Sequence, residues 1–180
     1  APICDTSTNA CRACNGDSEC TGIGPGVCMK PLDGRCASDA ETVVATSTTP
    51  LPSPLPTGKR LVIIRGSVTG TVAWTLTGTQ VTIIGQSSGV LSGNGTSATM
   101  HLSGGDFYMR NLTITNGYPG LWADNGAIAR LDHVSVSNNT KGGILLDGAA
   151  FDIKDTTVNS NGPYTTIITF GGIGIQNTPG

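Results

Sequence analysis

The sequence predicts an all-β chain: a parallel β-solenoid preceded by a small disulfide-rich module. Three observations carry that prediction. Phrases recur at a fixed interval of 22 residues, "RNLTITNG" at 110–117 returning as "DHVSVSNN" at 132–139 and "KDTTVNSN" at 154–161. Apolar residues fall into columns at the same interval. All six cysteines are confined to the first 36 residues.

The columns can be followed position by position. Phe107, Ala129 and Phe151 coincide, as do Met109, Leu131 and Ile153. Leu112, Val134 and Thr156 form the next column, and Ile114, Val136 and Val158 the one after. Within each repeat apolar members alternate with polar ones, the period of a half-buried strand. The alternation skips a step between Met109 and Leu112, which predicts a bend between two short strands. A unit of about 22 residues, joined by Gly and Asn, fits one coil of a solenoid. Leucine-rich repeats need a recurring LxxLxL frame that is absent here. A β-sandwich with coincidental spacing is the rival, and the shared period of all these columns weighs against it. Each repeat closes on Asn116, Asn138 or Ser160, which read as an inward turn ladder whose amides satisfy one another and the turn backbone.

Composition agrees with this fold. Gly accounts for 26 of 180 residues, while charged residues make up 12% and aromatics 4%, which suits a turn-rich β fold with a hydroxyl and amide surface. A net charge of −2 without a basic cluster argues against a nucleic-acid partner. No apolar run approaches the roughly 18 residues of a membrane-spanning helix.

Residues 1–38 form the cysteine module, 39–60 a Pro-rich linker or surface-packed segment, and 61–180 the solenoid. Cys4, Cys11, Cys14, Cys20, Cys28 and Cys36 are even in number and dense among Gly, Asp and Asn. That pattern reads as disulfides formed in an oxidising compartment, and so as a secreted or cell-surface protein. Zinc is the rival because Cys11-x-x-Cys14 has ligand spacing, but no second such pair follows. The pairing is not readable from spacing. No signal peptide opens the chain, so it was removed or the chain begins inside a longer protein. "PLPSPLP" is extended and polyproline-like, preceded by a short candidate strand at Thr42–Thr46.

The phrases "VTIIGQSSGVLSGNG", "MHLSGGDFYMRNLTITNG" and "VSVSNNTKGGILLDG" resemble those of the right-handed parallel β-helix proteins of the pectin-lyase-like superfamily. The cysteine-rich stretch "CRACNGDSECTGIGPGVCMKPLDGRC" ahead of them resembles that of predicted bacterial surface proteins in this group. The resemblance implies a right-handed parallel β-helix, with about 22 residues per coil, preceded by a disulfide-rich module. It leaves function open, because the superfamily holds lyases, hydrolases, epimerases, adhesins and structural proteins. Polygalacturonase-like hydrolases carry paired aspartates, a "GHG"-like histidine and an "RIK"-like motif. Here no "DD" occurs, His133 stands in "LDHVS", and "DIKD" has Lys154 without the arginine. Pectate lyases need several calcium carboxylates and an arginine base on one face. The sequence therefore leans away from an enzyme, a polysaccharide lyase or glycoside hydrolase being the expectation otherwise.

Stacking at 22 residues also predicts outward columns. Arg110, Asp132 and Lys154 give a plus–minus–plus ladder; Tyr108, Arg130 and Asp152 share another column; Asn111, His133 and Asp155 share a third. Thr113, Ser135 and Thr157 add hydroxyls. Surface stitching between coils is one reading of these charges. The other is a catalytic or glycan-binding groove, with Tyr108, Arg110, Arg130, His133 and Lys154 as the candidate residues. Asp124 is awkward, since a strict 22-residue shift would bury its carboxylate beside Leu102 and Leu146. Sliding "LWADNG" by one, with a bulge near Asn125, sets Asp124 beside Ser103 and Asp147. Asp124 and Asp147 are then weak calcium candidates, short of the six to eight oxygens such an ion takes. No cofactor is otherwise expected. His101 and His133 read as ordinary surface residues, and the sequons at Asn94, Asn111 and Asn138 carry little weight. Tyr108, Tyr118, Trp122 and Tyr164 are the aromatic candidates for sugar contact.

Together these features predict a non-catalytic extracellular structural or adhesive β-helix, with carbohydrate binding or cleavage as the alternative. "GGIGIQNTPG", running to Gly180, shows no charged or proline-rich cap. Head-to-tail self-association into a filament is one expectation from that, and a surface polysaccharide is the other expected partner.

Overall fold

The computed structural model describes residues 2–5, 10–163 and 171–177. Tyr164 and Gly180 lie outside them. Strands β1 (Ile3–Asp5) and β2 (Ala10–Arg12) form an antiparallel pair that sets the backbones of Cys4 and Cys11 opposite each other. The side chains of these two cysteines also fall outside the described residues. Every later strand is parallel to its neighbours. The solenoid opens with β3 (Thr42–Ala45), β4 (Leu61–Thr69), β5 (Val72–Thr75) and β6 (Gln80–Ser92). Three regular coils follow. The first holds β7 (Met100–Ser103), β8 (Asp106–Arg110) and β9 (Thr113–Thr115). The second holds β10 (Leu121–Asp124), β11 (Ile128–Asp132) and β12 (Ser135–Ser137). The third holds β13 (Ile144–Asp147), β14 (Ala150–Lys154) and β15 (Thr157–Asn159), and β16 (Ile173–Gln176) resumes the frame of β13.

Coil stacks on coil to make two sheets. The shorter runs β5-β7-β10-β13-β16; the longer carries β6-β8-β11-β14 on one side and β6-β9-β12-β15 on the other, with β4 and β3 beyond β6. This is the parallel solenoid that the repeat predicted, in the right-handed form that the resemblance implied. β3 pairs in register with β4, so the first rung comes from residues ahead of 61. The Pro-rich segment then packs against the solenoid. Leu51 is buried in its core, Trp74 Nε1 donates to Pro52 O at 2.8 Å, and Ser53 Oγ bonds both the N–H and the carbonyl of Ala73 at 3.1 Å.

The apolar columns line the interior. Phe107 pairs with Ala129 and Ala129 with Phe151; Met109, Leu131 and Ile153 do likewise, as do Ile114, Val136 and Val158. The skipped alternation is a corner, where Asn111, His133 and Asp155 take left-handed φ values of 54°, 53° and 43°. Asn, Asp and His enter that region more readily than most residues, which explains this column's composition.

Asp124 lies beside Ser103 and Asp147, as the slid register requires. The extra residue is accommodated in the turn Asn125–Ala127, against two-residue turns at Gly104–Gly105 and Gly148–Ala149 on the adjacent rungs. β7, β10 and β13 are therefore offset by 21 and then 23 residues, while the longer sheet keeps 22.

The inward turn ladder needs correction. Asn116, Asn138 and Ser160 are exposed, at φ values of 57°, 56° and 52°. The left-handed residue turns its own side chain outward and delivers the next residue to the interior. The interior column is Gly117, Asn139 and Asn161. Asn139 Oδ1 accepts from Gly117 N at 2.8 Å, and Asn161 Oδ1 accepts from Asn139 N at 3.0 Å and Asn139 Nδ2 at 2.8 Å. Asn161 Nδ2 reaches back to Val136 O at 3.0 Å. Gly117 heads the column because a Cβ there would lie 2.4 Å from Thr99 Oγ1 and 2.2 Å from Pro119 O.

Asn139→Ala leaves the buried Gly117 N–H without its acceptor and is expected to cost about 1–3 kcal/mol in urea unfolding. Asn138→Gly keeps the left-handed turn and is expected to change stability by less than about 1 kcal/mol.

Candidate functional site

The outward columns of the longer sheet change character along the solenoid. One reads Thr42, Leu61, Thr82, Tyr108, Arg130, Asp152; the next reads Val44, Ile63, Ile84, Arg110, Asp132, Lys154. Among the early members Leu61, Val44, Ile63 and Ile84 are apolar although they point away from the solenoid interior, and the cysteine module covers them. Val27, Met29 and Ala37 of the module make a second buried cluster with Leu61, Ile63 and Ile84. Within the module, disulfides join Cys14 to Cys28 and Cys20 to Cys36, as the disulfide reading of these cysteines anticipated.

Polar contacts reinforce this seat. Arg35 pairs with both Glu41, where Nη1 lies 2.7 Å from Oε1, and Asp33, and Arg60 reaches Asp33 at 3.2 Å. The Glu41 carboxyl is held down to about 2, chiefly by the Arg35 hydrogen bond, against the penalty of burial. At the far edge of the cover, Asp17 accepts from the backbone N–H of Cys28 at 2.9 Å and from Arg110 Nη2 at 2.7 and 2.8 Å.

The candidate site is the groove where the cover ends. A cavity of about 290 Å³ there is lined by Asn15, Asp17, Lys30, Tyr108, Arg110 and His133, among others. An adjoining one of about 190 Å³ shares Lys30 and Tyr108 and adds Pro31, Arg130, Asp152 and Lys154. All five side chains singled out from sequence, Tyr108, Arg110, Arg130, His133 and Lys154, thus line one groove. Asn15, Asp17 and Lys30 were missed. The readable signal was "LVII" at 61–64, a run without alternation that implies cover on both faces.

Its electrostatics are largely self-contained. The plus–minus–plus ladder keeps its register, but its ion pairs run elsewhere, which corrects the sequence expectation. Arg110 pairs with Asp17 rather than Asp132. Arg130 bonds Asp106 at 2.9 and 3.2 Å, and the Tyr108 hydroxyl donates to Asp132 Oδ2 at 2.8 Å. Both are diagonal contacts, to a residue two positions away from the facing one, within reach of long side chains on a sheet. Lys154 lies 3.4 Å from Asp152 on its own strand. Burial first, then the bond to Asp132, pushes the Tyr108 hydroxyl up to about 12. Asp132 is held below the usual carboxylate range by Tyr108 and then His133, whose Nδ1 lies 2.6 Å from Asp132 Oδ1.

Ligand atoms of Asp132, His133 and Asp155 lie within 4.8 Å of one another, a set of one nitrogen and two carboxylates on an open surface. The calcium candidates are otherwise engaged: Asp124 Oδ2 lies 2.8 Å from His101 Nε2, Asp124 Oδ1 accepts from Asn125, and Asp147 Oδ1 accepts from Asn177 at 2.7 Å. Fold and groove define a right-handed parallel β-solenoid whose N-terminal disulfide-containing module is seated on the longer sheet. Comparison with protein-family models, curated proteins and solved structures returns no match. No helix among the described residues is long and apolar enough to cross a membrane.

Acid should loosen the seat of the module. The folded value of Glu41, about 2, lies below its ordinary 4.5, so the unfolded chain takes up the proton first as pH falls. Its stabilisation, up to about 3 kcal/mol, is complete above the unfolded value and is lost as pH falls from there through the folded one. Urea midpoints measured between those two pH values should fall less steeply for Glu41→Gln than for the wild type, with Asp132 contributing to the slope that remains.

Proposed function

We propose that the chain is a non-catalytic extracellular scaffold, a structural or adhesive element whose outer face presents a fixed surface. One observation carries this reading: the groove's charged side chains are engaged with one another, through Arg110–Asp17, Arg130–Asp106, Tyr108–Asp132 and Lys154–Asp152. General acid–base work needs a group poised to exchange a proton near working pH. The three shifted groups in the groove, Tyr108, Arg130 and Asp132, all move away from that range. The disulfides and the hydroxyl- and amide-rich surface suit an oxidising exterior.

The convergence of Tyr108, Arg110, Arg130, His133 and Lys154 favours a second reading, in which a polysaccharide lies along the groove and is held or cleaved there. The resemblance to pectin-lyase-like β-helices supports it at the level of fold alone. A separate expectation, end-to-end association, draws on Phe151, Ile173 and Ile175, exposed by 46%, 40% and 46% on the last rungs. The opposite end is less inviting, because Ser53 already occupies the edge of β5.

Arg130→Ala combined with Lys154→Ala separates the two groove readings. Under the scaffold reading the double variant loses no more than about 1 kcal/mol of stability, and the wild type releases neither reducing nor unsaturated sugar ends from acidic or neutral polysaccharides. Turnover, or polysaccharide affinity that vanishes in the double variant, would replace it with the second reading. Sedimentation velocity across a concentration series tests association, which Ile173→Asp should suppress.

A further inference from the structure

A second concave surface lies on the shorter sheet, away from the groove. Here the outward column reads Ala73, His101, Trp122, Leu145. His101 and Trp122 face each other across neighbouring rungs with ring centroids 4.4 Å apart and planes 19° from parallel. That is close to the spacing of adjacent parallel strands, about 4.8 Å, so the rings stack along the solenoid axis. One face of the imidazole is covered by the indole. The other looks along the column towards Ala73, whose methyl group leaves the next place in the stack unfilled. A cavity of about 450 Å³ occupies this region, lined by Thr71, Ala73, Thr96, Ser97, Tyr118 and the two stacked rings, among others.

Its walls are held in place. Asp124, whose other oxygen accepts from Asn125, bonds His101 Nε2 and fixes the imidazole from the side. Asn94 Oδ1 accepts from Thr96 N and Oγ1 at 3.0 Å and from Ser97 N at 3.1 Å, and the Tyr118 N–H donates to Ser97 O at 2.8 Å. On the opposite wall Ser53 is tied to Ala73. Among the described residues the lining contains flat rings, small apolar groups and hydroxyls and, apart from His101, no acidic or basic side chain. Cavities of a few hundred Å³ with an apolar floor and a few fixed polar groups are the usual form of small-ligand sites.

We propose that this slot binds a neutral pyranose ring of a surface glycan, its C–H face stacked on His101 beside Trp122 and its hydroxyls meeting Thr71, Thr96 and Ser97. A sugar ring presents that combination: one flat, weakly apolar face and a rim of hydroxyls. A charged ligand would find no partner of opposite sign on most of the wall. The inference names a partner class for the adhesive reading and rests on it, but it assigns contact to the shorter sheet, so the two can fail separately.

The test uses the full chain with neutral hexasaccharides of α-1,4-linked glucose, β-1,4-linked glucose and β-1,4-linked N-acetylglucosamine, followed by calorimetry and tryptophan fluorescence. Trp74 is 1% exposed, so a change on binding reports Trp122. At least one hexasaccharide is expected to bind and alter that fluorescence. Affinity should fall about tenfold or more in Trp122→Ala and in His101→Ala, be largely kept in Trp122→Phe, and be unchanged in Arg130→Ala/Lys154→Ala. Far-UV circular dichroism identifies any variant that has lost the fold, and Thr96→Ala with Ser97→Ala gives a milder rim variant expected to weaken binding severalfold. No binding by any hexasaccharide overturns the proposal. So does binding indifferent to Trp122 and His101, binding lost with Arg130 and Lys154, or selection of a proline-rich peptide instead. Of these outcomes, only binding lost with Arg130 and Lys154 also counts against the scaffold reading; the others overturn the slot and leave that reading standing.

Discussion

No coil of this molecule can exist by itself. A single turn of about 22 residues leaves the N–H and C=O rows of its strands open above and below, and only the neighbouring rungs close them. Everything else follows from that parallel ladder. Because hydrogen bonding fixes which residue faces which, a side chain's environment is decided by its column. Interior columns must be apolar or, like Gly117, Asn139 and Asn161, hydrogen-bonded from rung to rung, and corner columns must accept left-handed backbone on every rung. A rung that takes an extra residue must place it in a turn, as Asn125–Ala127 does, or the strand beyond it would invert its faces.

The ladder leaves a difficulty at its beginning. On the first rungs the longer sheet is apolar on both faces, with Leu61, Ile63 and Ile84 pointing away from the interior. The cysteine module answers it. The module has little apolar content of its own, and Cys14–Cys28 and Cys20–Cys36 hold together a segment that contributes Val27, Met29 and Ala37 as a lid. Ion pairs through Arg35, Arg60 and Arg110 then set its orientation. The groove with Tyr108 and Arg110 is the step from covered sheet to open sheet. Its shape is set by the size of the lid as much as by the solenoid.

The two sheets consequently differ in chemistry. On the longer sheet, long charged side chains lean diagonally across rungs and satisfy one another, so their charge is largely used in holding the coils together. On the shorter sheet one outward column runs Ala73, His101, Trp122 and Leu145, and His101 and Trp122 stack because the register sets them one rung apart. A ring face left open beside Ala73 is available for contact in a way the paired charges are not. The scaffold and glycan-contact readings therefore belong to different sheets of one solenoid.

The repeat, its interior columns and the slid register of Asp124 were legible in the sequence, because a 22-residue period with alternating apolar residues constrains a parallel ladder nearly completely. The cysteine count and placement likewise fixed the kind of module, though not its pairing. What periodicity could not say is which of two adjacent turn residues points inward. Asn138 and Asn139 are chemically the same, and only the left-handed φ at Asn138 sends the second inside. Nor could it say where the charges pair, since Arg130 has Tyr108 opposite and Asp106 on the diagonal, and side-chain reach decides between them. Contacts far apart in the chain were wholly beyond it. Asp17 meets Arg110 across 93 residues, and Pro52 meets Trp74, because the module and the Pro-rich segment fold back onto surfaces that exist only once the coils have stacked.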